Sequence, residues 1–418
     1  MLEIAVKSKS KISDAHETIT WRQLKELADE VPEGVHYLSG GNSVSQASVL
    51  LAAAEGRCSA VPFSSRITLN EREDIHNLFG QITAPTGVFI TTSGSQGKAK
   101  LVHLSPEVIA NHAHAVNEHL LVAEDDMWLA CLPFFHVGGM AILMRCAIAG
   151  AGLKIIENSE AELVAKHIDK TTLISLVPTT LQRVLSIRND KLPESLRAVI
   201  LGGGPIPMDL VERCPQVLPT YGLTEAGSMV TCARPKCADD ERRTAGPVLP
   251  HAQIKILNDD GVEVANDQAG RIVVKSSGAA TEYFRNEKET ALTFREGWIH
   301  TEDAGYLDAQ GYLHVLGRRD RIIVSGGENI SLEEVEAALR TLGNVRDALC
   351  VGLEDPEWGQ LVVGVIETDT QFTLNDLREH LRNKIASHKT PKRIITVAKL
   401  HTLANGKPDY QSAKRLFG

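Results

Sequence analysis

The chain has 418 residues, 43% of them hydrophobic and 23% charged, and a formal net charge of -9. That length exceeds what one hydrophobic core usually supports, so two or more domains are expected. The composition excludes collagen, disorder and a disulfide scaffold. The excess of acidic over basic residues, 53 to 44, argues against a duplex-DNA coat or a polybasic membrane binder. Cysteines at 58, 131, 146, 214, 232, 237 and 350 form no C-x-x-C pair. Reduced, mostly buried thiols are the simplest account, and the cytoplasm is the expected compartment. The amino terminus carries charges where a secretory signal needs a continuous apolar stretch. Arg145 and Lys154 interrupt the most apolar run, 140–156, which reads as a buried helix and adjoining strand, not a membrane span.

Residues 1–85 have a mixed pattern, with a helix start at Ile19-Thr20-Trp21-Arg22 and a buried helix over 49–54. From Gly87 a regular alternation sets in. Apolar runs at 87–91, 127–132, 173–177 and 197–201 end in Gly, Ser, Thr or Pro and lead into helical patterns. Such runs predict parallel strands covered on both faces, with ligands beyond their carboxyl ends. After about residue 245 the strand-like stretches at 252–257, 270–276 and 311–316 are joined by Asp-, Asn- and Gly-rich turns, which predicts a smaller antiparallel β region. A further change follows Gly317-Arg318-Arg319-Asp320-Arg321. There Ser331-Leu332-Glu333-Glu334 reads as a capping box opening a helix to about Leu342. Strands at 348–353 and 361–367 and a helix at 374–387 complete a small α+β unit. The expected fold is thus α/β: a large amino-terminal domain (1–318) of stacked, mostly parallel α/β sheets plus a small β-barrel-like subdomain, and a small α+β carboxyl-terminal domain (319–418).

Five segments carry groups suited to chemistry. Residues 91–100, TTSGSQGKAK, follow an apolar run. Their glycines and hydroxyls let backbone N–H groups approach phosphate oxygens, and their lysines add positive charge. This is not a Walker A loop, because Thr92 replaces its first Gly and Ala99 its Ser/Thr; a solvated turn is the alternative. Tyr221-Gly222-Leu223-Thr224-Glu225 combines a ring for stacking, a hydroxyl for a phosphate and a carboxylate for magnesium, or is an ordinary loop before a helix. Gly202-Gly203-Gly204 lacks dinucleotide-binding spacing and allows close approach of a ligand or another strand. In the fourth segment, Asp303 can accept from ribose hydroxyls and Arg318 can engage ribose or phosphate, or both belong to a charged hairpin. Lys407 in Asn405-Gly406-Lys407-Pro408 is, taken alone, a solvated lysine.

The order of these segments resembles that of the acyl-adenylate-forming (AMP-binding) superfamily of acyl- and aryl-CoA ligases, luciferases and adenylation domains. The resemblance spans 87–411. It implies ATP, Mg²⁺ and coenzyme A as cofactor and co-substrates and a small carboxylic acid as substrate; no nucleic acid and no membrane span are expected, and a homo-oligomer stays open. By the same resemblance Thr92, Ser93, Gly94, Ser95, Gly97 and Lys100 form the phosphate loop. Tyr221, Gly222, Thr224 and Glu225 serve adenine, α-phosphate and magnesium, with Gly203 and Gly204 close by. Asp303 and Arg318 hold the ribose side, Asp320 is the hinge, and Gly327 lines the thioester-forming tunnel. Lys407 matches the adenylation lysine, and His136 stands where the family gates the acid pocket. Gln96 and Ala99 depart from the Thr and Pro usual in the loop, and the segment before Gly87 is short for the family, implying a trimmed amino-terminal subdomain. Within the superfamily, segments 131–139, 175–181 and 202–207 are most similar to ligases that activate an aromatic acid in menaquinone synthesis. Other aryl or medium-chain acyl-CoA ligases, carrier-loading adenylation enzymes and non-catalytic nucleotide-binding relatives share parts of the pattern.

Overall fold

A computed structural model describes residues 3–80, 84–93, 99–382, 384–402 and 408–418. Its largest sheet has eight strands, in the order Ser228–Cys232, Val217–Leu223, Ala198–Leu201, Leu173–Leu176, Met127–Ala130, Gly152–Ile155, Lys11–Ser13 and Thr18–Thr20. The six inner strands run parallel, and only the two edge strands are antiparallel. The short inner strands are buried along almost their whole length, as expected where helices cover both faces. Helices Val137–Ala149, Ala161–His167, Pro178–Ile187 and Met208–Arg213 connect them.

A second sheet holds Val35–Ser39, Ser59–Phe63 and Gly87–Ser93 in parallel and closes with the antiparallel strand Ala99–Leu104. Helix Val44–Ala54 lies between this sheet and the first, and eight of its residues are buried. The expected buried helix at 49–54 is thus its second half. Ser43 caps it by accepting the Gln46 N–H, which starts the helix earlier than its apolar run suggests. Thr20 and Gln23 form a reciprocal capping box on helix Trp21–Asp29, and Trp21 anchors it by donating its indole N–H to the Ala151 carbonyl at 3.0 Å.

The third sheet is antiparallel: Ala252–Leu257, Gly270–Ser276 and Trp298–Leu307, with Phe294–Arg295 and Leu313–Arg318 on the outer edge. The last of these strands differs from the expected 311–316. Asp308 accepts the Tyr312 N–H in a turn that includes Gly311 at φ +79°, so pairing begins at Leu313 and reaches Arg318.

A fourth sheet starts at Ile322–Ser325 and pairs it with Glu328–Ser331 and Gly359–Glu367. Asp347–Asp355 and the parallel strand Arg393–Val397 flank Gly359–Glu367. Helices Leu332–Leu339 and Leu374–Leu381 pack on it. Only half of the capping box expected at Ser331 forms. Ser331 accepts the Glu334 N–H, but the Glu334 carboxylate is taken by Lys389 at 2.7 and 2.8 Å. Helix Leu374–Leu381 is also shorter than expected, with a separate 3₁₀ turn at Ser387–Lys389. Arg321 ends the turn between the third and fourth sheets. Its guanidinium pairs with buried Glu336, donates to the Cys350 carbonyl at 3.0 Å and stacks 3.7 Å from the Tyr410 ring centroid.

Candidate active site

Parallel pairing puts the carboxyl ends of four neighbouring strands on one edge of the large sheet. Trp128 faces Leu173, Ala198 faces the same Leu173, and Leu201 faces Pro219. The segments at those ends, 131–136, 177–180, 202–207 and 220–225, therefore share that edge, where ligands of open α/β sheets collect. His136 lies there, directly before helix Val137–Ala149, with its ring centroid 4.5 Å from that of Phe135. Gly203 has φ +79°, and a side chain on Gly204 would meet nothing within 4 Å.

Strand Val217–Leu223 carries the next group. It pairs antiparallel with Ser228–Cys232 through an irregularity at Tyr221/Gly222. A Cβ at Gly222 would sit 2.1 Å from the Ser228 carbonyl oxygen, so only glycine lets the strands approach this closely. Thr224 and Glu225 then form a 3₁₀ turn closed by the Gly227 N–H donating to the Thr224 carbonyl at 3.0 Å. Gly227 has φ +76°, and a Cβ there would lie 2.2 Å from the Gly278 carbonyl oxygen. The turn is tied to its neighbour by the Ala280 N–H, which donates to the Glu225 carbonyl at 2.8 Å.

Tyr221 points toward the third sheet, and its hydroxyl donates to Asp303 Oδ2 at 2.6 Å. Burial, reinforced by the Asp303 charge, pushes the Tyr221 hydroxyl well above the ordinary phenol range. It stays a neutral donor. Burial also raises the Asp303 carboxyl, while the Tyr221 hydrogen bond and the Arg318 charge oppose that rise. Oδ1 of Asp303 has no hydrogen-bond partner among the described residues. Arg318 is the cross-strand partner of Asp303, and its Nε donates to Asp320 at 2.9 Å. Burial alone would lower the Arg318 guanidinium, but Asp320 and Asp303 outweigh it and hold it above its usual value.

The second sheet supplies the remaining group. Thr92 faces Lys100 and Ser93 faces Ala99 across an antiparallel pair, which brings both ends of the expected phosphate loop together. Lys100 pairs with Glu289 and lies over the Tyr283 ring, 4.7 Å from its centroid. Tyr283 in turn donates its hydroxyl to Glu225 Oε1 at 2.6 Å. Sequence reasoning missed both Tyr283 and Glu289. The available signal was Asn286 followed by Glu289, a helix start that does appear, with Asn286 accepting the Glu289 N–H.

The expected site residues Gly94, Ser95, Gly97 and Lys407, with Gln96 and the side chains of Ser93 and Ala99, lie outside the described residues. The flanks of Lys407 are held by a bridge between Thr402 and Pro408, and by the Asp409 N–H donating to the His401 carbonyl at 3.0 Å. Asp320 sits in the 3₁₀ turn Arg319–Arg321 between the third and fourth sheets. Gly327 has φ +86° and an open surround. No helix among the described residues is long and apolar enough to cross a membrane.

The fold and these segments define a class. The profile of the AMP-binding enzyme family matches residues 83–284, and that of the AMP-binding enzyme carboxyl-terminal domain matches residues 334–407; the chain belongs to this family. A 2-succinylbenzoate–CoA ligase of Bacillus cereus (strain ATCC 10987 / NRS 248) is 36% identical over 328 residues, covering 76% of this chain and 67% of that protein. The ligase of the same name from Bacillus cytotoxicus is 37% identical with the same coverage. Among solved structures, o-succinylbenzoate CoA synthetase from Bacillus subtilis in complex with the acyl-adenylate intermediate OSB-AMP is similar with a TM-score of 0.84 and 26% identity, over 98% of this chain and 96% of that one. The same enzyme with ATP and magnesium ion gives 0.83 and 25%, over 97% and 96%.

Proposed function

We propose that this chain is an ATP-dependent acid–CoA ligase that works through an acyl-adenylate, with o-succinylbenzoate as its acid and menaquinone synthesis as its setting. The observation that carries the reading is the likeness, over nearly the whole chain, to a synthetase bound to its acyl-adenylate. Curated relatives at 36–37% identity support it. The seven free cysteines, six of them buried, support a reducing cytoplasm.

A carboxylate does not react with a thiol at neutral pH, because oxide would have to leave. In the proposed first step a substrate carboxylate oxygen attacks the α-phosphorus of ATP, the bond to pyrophosphate breaks, and acyl-adenylate forms. In the second the CoA sulfur attacks the acyl carbon and AMP departs with the bonding electrons. Both steps need positioning and charge neutralisation more than covalent help from the protein. Thr92, Ser93, Gly94, Ser95, Gly97 and Lys100 hold the phosphates. Thr224 bonds the α-phosphate. Tyr221 stacks on adenine beside Gly222, Gly203 and Gly204, and Oδ1 of Asp303 accepts from the ribose with Arg318 nearby. His136 borders the acid. Lys407 supplies positive charge at the reacting carboxylate.

Magnesium bound with a nucleotide keeps waters and phosphate oxygens as ligands and takes one or two carboxylates from the protein. Glu225 fits that role, because Oε1 is held by Tyr283 and Oε2 has no partner among the described residues. When bound, the ion offsets phosphate charge. Residues 1–318 form the ATP- and acid-binding domain in this reading, and 319–418 a mobile domain that turns at Asp320 to bring Gly327 toward the acyl group.

The test is a panel of carboxylic acids with ATP and CoA, read by pyrophosphate release and thioester formation. o-Succinylbenzoate is expected to give the highest kcat/KM. A preference for another aryl or medium-chain acid would replace the substrate, and pyrophosphate release without CoA consumption would point to a carrier-protein thiol.

A further inference from the structure

A buried tyrosine ties together two groups that come from different sheets. Tyr283 is 5% exposed, and its neighbours fix its backbone on both sides. The Ala280 N–H binds the Glu225 carbonyl, and the Phe284 N–H donates to the Leu101 carbonyl at 2.8 Å. The Tyr283 N–H donates to Thr290 Oγ1 at 3.0 Å, and Tyr283 forms a bridge with Val102. The Phe294 ring packs edge-on at 5.3 Å. The ring therefore has one orientation, with Lys100 over its face and its hydroxyl on Glu225 Oε1.

We propose that Tyr283 is a positioning residue that fixes the Glu225 carboxylate for the nucleotide-bound cation. The inference rests on the ligase reading, in which Glu225 meets the magnesium that accompanies ATP. A free glutamate side chain samples several rotamers and loses that freedom when it engages a partner. Here the phenol has already immobilised one oxygen and left the other open. At 2.6 Å from Oε1 the phenol O–H is within hydrogen-bond distance of the carboxylate and donates to it. Lys100 on the same ring links this carboxylate to the strand leaving the phosphate loop. The hydroxyl thus acts on the ion only through Glu225, as supporting groups around metal ligands do elsewhere.

The experiment is ATP binding by calorimetry, in EDTA and across a MgCl₂ titration, on wild type, Tyr283→Phe and Glu225→Gln. Tyr283→Phe keeps the ring, the packing and the Lys100 contact. It is expected to bind ATP like wild type in EDTA and to need about tenfold more magnesium for the same gain in affinity. An unchanged magnesium midpoint in Tyr283→Phe, with Glu225→Gln impaired, overturns the inference alone. An unchanged midpoint in Glu225→Gln overturns the assignment of Glu225 on which it stands. Thermal unfolding without nucleotide checks the fold. If Tyr283→Phe does not fold, Glu225→Asp, which draws the carboxylate back from the same hydroxyl by one methylene, must show the same magnesium shift or the inference falls.

Discussion

At the scale of single residues, the proposed chemistry divides between groups that hold the nucleotide and one that acts on the reacting carboxylate. The sharpest prediction concerns the latter. Lys407→Ala is expected to lose the adenylation half-reaction by a factor corresponding to about 3–4 kcal/mol, the usual worth of one preorganised charge at a transition state. It should still convert supplied acyl-adenylate to thioester. Separate assays of ATP–pyrophosphate exchange and thioester formation decide the matter, and equal losses in both would reassign Lys407 to a structural part. Tyr221, Glu225 and Asp303 stand out in the sequence as members of short motifs, and their proposed roles rest on those motifs and their order. What the motifs did not disclose is that Tyr221 and Asp303 bond to each other, or that Tyr283 supports Glu225. Both contacts join segments far apart in the chain, 82 and 58 residues, and spacing within a motif carries no information about that.

Among the elements, the strands were legible and the helix limits less so. Runs such as 198–201 are apolar because both sheet faces are covered. Caps and turns such as Ser43 or Asp308 shift the ends by local hydrogen bonds that hydrophobicity does not report. One helical element also carries an unanticipated electrostatic load. Helix Val137–Ala149 buries Arg145, whose guanidinium has no carboxylate partner among the described residues and donates to Ser228 Oγ at 3.3 Å. Burial brings it down to about 10. Facing it are His112 and His251, whose rings pack edge to face at 5.2 Å. Burial, then the Arg145 charge, lowers His251 to about 4 and His112 well below its ordinary 6.5. Between pH 6.5 and about 4 the unfolded chain therefore takes up protons that the folded chain refuses, and stability falls as pH drops through that window. The His251 contribution from pH 7 to 5 has an upper bound of about 2 kcal/mol, and solvent screening of this half-buried group lowers it. Urea midpoints at both pH values should show a smaller acid-induced drop in His251→Gln than in wild type. Equal drops would mean that His251 is not held neutral in the folded protein.

For the whole molecule, the sequence leads to an expected division between residues 318 and 319. The third sheet ends at Arg318, the fourth begins at Ile322, and the turn between them holds Asp320. Composition showed the change because an antiparallel, turn-rich region gives way to helix-covered strands. The contacts that cross the junction were not legible, as with Gln182 donating to the Arg340 carbonyl at 3.3 Å. If the domains turn about this point, Asp320→Pro, which fixes the backbone there, should leave adenylation near wild type and slow thioester formation about tenfold or more. Rapid-quench measurement of the two half-reactions tests this, and an unchanged rate of thioester formation would place the pivot elsewhere.

Arg321 adds a consequence for timing. Its guanidinium is bound to Glu336 and Cys350 and stacked on Tyr410, three residues beyond Lys407, so the residue after Asp320 and the far flank of the lysine are tied together. Under the proposed reading, a turn at Asp320 that delivers Gly327 would carry Lys407 away in the same stroke. While the thiol had access, the charge that would help pyrophosphate attack the acyl-adenylate in reverse would then be gone. Under the proposed reading, the geometry that separates the two half-reactions also keeps the first from running backward during the second.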